Sequence, residues 1–176
     1  VGNNAALVLG GALASGGAIV FDQPRNITIL SAGNDAAKSF TVVGTDDTAT
    51  AVTESITGAN AGTATGTTHF ATIASITAVG NPAGNVSAGS GTSIAAPMFR
   101  GRMRLKGIYC VNTGTAGTTT FREESDSGEI RMQFNTVGSA DTAEYPDIPD
   151  DGLLFRSGGY VLYTQTQLSS ITVFYA

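Results

Sequence analysis

Ser93 stands in the run GTSIAAP, Gly91 to Pro97, and the chain's one histidine, His69, stands in GTTHFATIAS. A serine hydroxyl becomes a nucleophile when an imidazole takes its proton and a carboxylate orients that imidazole. Carboxylates are at hand in two places: Asp46 and Asp47 in GTDD, and Asp141, Glu144, Asp147, Asp150 and Asp151 in SADTAEYPDIPDDG. A third group is basic. In FRGRMRLK, Arg100, Arg102, Arg104 and Lys106 recur at every second position. On a strand that period sends all four side chains from one face, with Met103 and Leu105 pointing to the core. Hydrolysis, cation binding and charged docking are thus the three chemistries to weigh.

The GTSIAAP run resembles the segment around the nucleophilic serine of subtilisin-like proteases. In that family the histidine and serine lie about 150 residues apart, on a large α/β scaffold. Here they are 24 positions apart, which leaves no room for the intervening sheet and helices. Pro97 and the small-residue composition also argue against the helix that should begin beneath the serine. Chance matching is easy in a chain so rich in Gly, Thr, Ser and Ala, so no catalytic residue is assigned.

The Asp46–Asp47 pair fits a hairpin turn in which an aspartate caps its own backbone. The acidic loop 141–151 has oxygens for a hard cation, but the spacing of an EF-hand is absent. Glycosidase chemistry needs two carboxylates converging across a cleft, which one loop does not provide. Cys110 sits in the apolar run LKGIYCV and reads as a buried, inert thiol. With a single cysteine there is neither an intrachain disulfide nor a zinc cluster, and no cofactor is implied. Like charges along one strand face repel, so something acidic should lie opposite the basic stripe. Either the same chain supplies it, through Glu123 or Glu129, or the stripe meets an acidic surface on another molecule.

The elements that position these residues follow from composition. Charged residues are 13% of the chain, against about 25% in an average domain. Long solvated helices need more, whereas abundant Thr and Ala with 23 glycines suit short strands and tight turns. A net charge of −5 disfavours generic nucleic-acid binding. The uncharged run AALVLGGALASGGAIVF, 5–21, falls short of a spanning helix, and its glycines break it into two strands, so no membrane segment is expected. Downstream, Ile27 and Ile29 share one face after a kink at Pro24. Phe40 and Val42, then Val52 and Ile56, alternate with polar neighbours around the GTDD turn. Phe70, Ile73 and Ile76 continue the pattern. Beyond a hairpin tip at DSG, Ile130, Met132 and Phe134 alternate again, and two or three strands close the chain. Strands about every ten residues with turn signals between them are the sandwich signature.

These signs predict an all-β protein of two small antiparallel β-sandwich domains in tandem. The first covers 1–89, with 1–20 as a strand or arm. A linker follows at 90–98, where GSGTSIAAP is the natural boundary, and the second domain covers 99–176.

Across about residues 20–89, the PRNIT entry, SAGND, FTVVGTD, VTESITGAN and FATIASIT resemble a β-rich module recurrent in virion proteins of tailed, especially marine, bacteriophages. The ending IPDDGLLFRSGGYVLYTQ…SSITVFYA is similar to the close of a second small phage structural module. The resemblance implies a non-enzymatic virion protein and brings no site residues with it. A capsid decoration or cement protein, bound to the major capsid protein or another virion protein, is the leading expectation. A tail-associated or fibre protein with a receptor or carbohydrate role is the alternative. Few charges and apolar strand edges further predict a homo-oligomer, with a trimer expected.

Overall fold

The computed structural model describes residues 2–10 and 13–176, and among these the chain is all-β with no helix. It divides into two compact units, Val1–Gly91 and Thr92–Ala176. Each has its own apolar core.

In the first unit β1 (Ala14–Ser15) turns through Gly16 and Gly17 into the long β2 (Ala18–Ser31). β3 (Ser39–Thr45) and β4 (Ala51–Thr57) form the hairpin expected around GTDD. Asp46 Oδ1 accepts from the amides of Thr48 (2.8 Å) and Thr50 (2.9 Å), so the aspartate caps its own turn. β5 (Thr63–Thr65) and β6 (Phe70–Val79) follow, and with β7 (Val86–Phe99) the order across the sheet runs β7, β2, β6, β3, β4.

β2 pairs with β6 through Ile19, Val20 and Arg25, and then with β5 through Thr28, Ile29 and Leu30. Between Val20 and Arg25 the register slips, and Pro24 lies in that slip. Proline has no amide to give a ladder, so it settles at a bulge, past which β2 exchanges β6 for β5 as its partner. The core of this unit gathers Ile27, Ile29, Phe40, Val42, Ile56, Phe70, Ile73 and Ile76.

β7 (Val86–Phe99) extends through the segment expected to be a linker. Residues 90–98 are strand, and the division between the units falls inside it. Thr92 and Ile94 are good strand formers, and Ser93 through Phe99 form a ladder with β13 (Gly159–Thr164). At Pro97, where the amide is missing, the ladder slips by one residue beside Met98.

In the second unit β7, β13 (Gly159–Thr164), β9 (Gly117–Glu123) and β10 (Ile130–Thr136) form one sheet. The other centres on β8 (Met103–Asn112). β14 (Leu168–Tyr175) runs along one edge of it, and β11 (Ala143–Glu144) and the short β12 (Leu153–Phe155) share the other. Met103, Leu105 and Ile108 from β8 meet Phe121 of β9, Val161 of β13 and Phe155 of β12 between the two sheets. Two antiparallel β-sandwiches in tandem, as the composition and spacing predict, make up the protein.

Candidate functional site: a basic turn and exposed aromatic pairs

The basic stripe is broken in two. β8 starts only at Met103, so Arg100 and Arg102 lie in the exposed turn between β7 and β8. Gly101 adopts φ +126°, outside strand geometry, and the two-residue alternation does not run through it. The expectation of four side chains on one strand face is therefore corrected: only Arg104 and Lys106 share it. Met103 and Leu105 do fill the core behind them.

Arg104 and Lys106 meet an acidic loop of their own chain, though not through its carboxylates. Arg104 Nη1 donates to the carbonyl oxygens of Asp151 (2.9 Å) and Gly152 (3.4 Å), and Lys106 Nζ donates to that of Asp150 (3.0 Å). The loop comes this close because residue 152 is glycine. Its φ is +74°, and a Cβ there would stand 2.7 Å from the Leu105 carbonyl oxygen. Glu123 and Glu129, the acidic partners considered from sequence, face Arg131 instead, each at 3.5 Å. Glu123 also accepts from the amide of Arg156 at 2.6 Å, which fastens the turn before β13.

The acidic loop is used for structure elsewhere too. Glu144 Oε1 accepts from Asn112 Nδ2 (2.8 Å) and from the Val137 amide (3.0 Å). Among the described residues, no three His, Cys, Asp or Glu side chains come together in a way that could hold a metal ion. Ser93 lies within β7, its Cα opposite Thr164 of β13, rather than at a turn into a helix. His69 belongs to the other unit, in the loop ahead of β6.

Sequence reading missed two aromatic pairs in the second unit. Tyr109 and Tyr145 meet in a tilted contact at 5.1 Å with Tyr145 71% exposed, and Phe99 and Tyr175 meet, also tilted, at 5.5 Å with each residue a little under half exposed. The partners are 36 and 76 positions apart, so no local pattern signals them. In the first unit an apolar cavity of about 610 Å³ opens beside residues 7–10, lined by Leu7, Leu9, Ile19, Phe21, Ile73 and Val86 among others. No protein-family model, no characterised protein sequence and no solved structure matches this chain.

Proposed function

We propose that this chain is a non-enzymatic structural protein of a tailed-bacteriophage virion: a decoration, or cement, protein that binds the outside of the head shell. In this reading it assembles as a homo-oligomer, a trimer by expectation, and docks on the major capsid protein. Its basis in sequence is the phage-module resemblance of residues 20–89. The structural observation that supports docking is the basic turn. Arg100 and Arg102 project beside the exposed Phe99, on a chain that is acidic as a whole. Arg104 and Lys106, engaged with the 150–152 loop, buttress the strand that follows rather than the contact itself.

Exposed ion pairs are screened over about 8–10 Å at physiological salt and contribute about 0–1 kcal/mol each. Attachment to heads should therefore weaken as salt rises. Arg100→Glu with Arg102→Glu adds repulsion to the lost attraction and should release the protein from particles while it stays folded, since neither residue is in the core. A folded double variant that binds heads at wild-type strength would exclude the turn as the docking surface.

The aromatic pairs favour a second reading, a tail or fibre protein that binds carbohydrate. Exposed aromatic faces such as Tyr145 and Tyr175 stack on sugar rings. Saccharide binding lost in Tyr145→Ala, with no protein found on heads, would select this reading over decoration.

A further inference from the structure

β6 is longer than the stretch of β2 beside it. β2 pairs with it only at Phe70, Thr72 and Ile73, which leaves the same edge of β6 open from residue 74 onward. Residues 3–7 fill that edge. The Leu7 amide donates to the Ile76 carbonyl (2.8 Å), the Ala78 amide to Ala5 (3.1 Å), and the Asn4 amide to Ala78 (2.8 Å). Asn3 Oδ1 accepts from the Gly80 amide at 2.8 Å. Leu7 and Leu9 pack on the core while Ala6 and Val8 point outward, the alternation of a strand. These residues form a strand-like arm whose one bridge to β6 is Ala6 with Thr77.

Two observations set the arm apart from the strands around it. Gly10, where it ends, is not demanded by the local structure: its φ lies outside the left-handed region, and a Cβ there would meet nothing within 4 Å. What glycine supplies at such a position is backbone freedom. Second, docking the arm within the chain leaves apolar surface uncovered. Val8 is 96% exposed, Leu13, Val20 and Val79 are about half exposed, and the 610 Å³ cavity beside the arm stays open.

We propose that residues 3–9 are an exchanged arm: in the assembled protein, the arm of one copy pairs with β6 of a second copy, in the register seen here. Every hydrogen bond and the Leu7 and Leu9 contacts are reproduced in the exchange, so it costs little. A neighbour seated there covers Val8 and the open cavity, which intrachain docking does not. Four residues, 10–13, extend at most about 14 Å, so the copies must pack directly against one another, as in a closed ring. The inference rests on the homo-oligomer reading above and specifies what holds that oligomer together.

Ala6 and Thr77 are directly opposed across the arm and β6, with the bonds of their neighbours on either side of them. That makes them a non-hydrogen-bonded pair, with Cα atoms about 4.5 Å apart, within disulfide range. Both lie on the outer face, so Ala6→Cys with Thr77→Cys spares the core. The double variant, in a Cys110→Ser background, is oxidised as assembled and then denatured without reductant. Exchange predicts covalently linked multimers that reductant returns to monomer. If light scattering shows an oligomer and the bridge lies within single chains, exchange is refuted and the oligomer stands. If the protein is monomeric with an internal bridge, both fail. Thiols left free would mean the arm sits on no β6, which also refutes it. Should Cys110→Ser not fold, Cys110 is kept and the bridge located by peptide mass. Co-refolded single variants, Ala6→Cys with Thr77→Cys, give a two-chain product whose bridge joins residue 6 to residue 77, located by peptide mass, only by exchange.

Discussion

Cys110 is fully buried toward the end of β8, its sulfur 3.8 Å from the Glu144 carbonyl oxygen. Burial pushes its thiol pKa up, and the nearby Glu144 charge adds to the shift. A raised pKa means the folded state holds the proton more tightly than the unfolded chain does. Its stabilising effect is complete below the unfolded thiol's ordinary value, about 8.5, and is lost as pH rises through the folded value. Reaction with a thiol reagent at pH 8 should therefore proceed only as fast as the protein opens. Prompt labelling of the native protein would show that the site is accessible. Ser93 tests the hydrolase question at the same scale. Held in the β7 ladder, it should stay unlabelled by a fluorophosphonate; labelling abolished by His69→Ala would overturn the non-enzymatic reading. Phe121, fully buried between the two sheets of its unit, should lose about 3–5 kcal/mol on truncation to alanine, read by denaturant unfolding.

Strands carry the next level, and their irregularities set which side chains face inward. Val43 opposes Ser75 and Gly44 opposes Ile73, so Ala74 is an extra residue. That bulge puts both Ile73 and Ile76 in the core although they are three apart. At Gly44 the neighbouring strand passes so close that a Cβ would lie 1.9 Å from the Thr72 carbonyl oxygen. Gly44→Ala should then cost about 1–3 kcal/mol through forced backbone movement. A drop of a few tenths, measured by the same unfolding titration, would contradict this packing. Regular alternation was legible in sequence, as Phe40, Val42, Met103 and Leu105 show, because a half-buried strand imposes its period directly. Bulges were not. Ile130 fits the alternating pattern yet is exposed, because the ladder with β9 shifts between Ile130 and Met132. The 90–98 segment looked like a linker because small residues mark linkers and closely packed strands alike. Arg100 and Arg102 were misplaced for a related reason: a period of two says nothing about where the strand begins.

At the scale of the whole molecule, the chain forms two sandwiches with separate cores. Their notable exposed features are a basic turn, aromatic pairs, and a strand-like arm beside an open apolar cavity. Surfaces of this kind suit assembly, the role proposed here. The most direct test of that claim is a particle map. On the proposed reading, virions of the encoding phage, imaged with an antibody fragment against the second unit, should show label at regular positions over the head surface. Label confined to the tail would replace decoration with the fibre reading, and intact particles lacking the protein altogether would contradict the virion assignment.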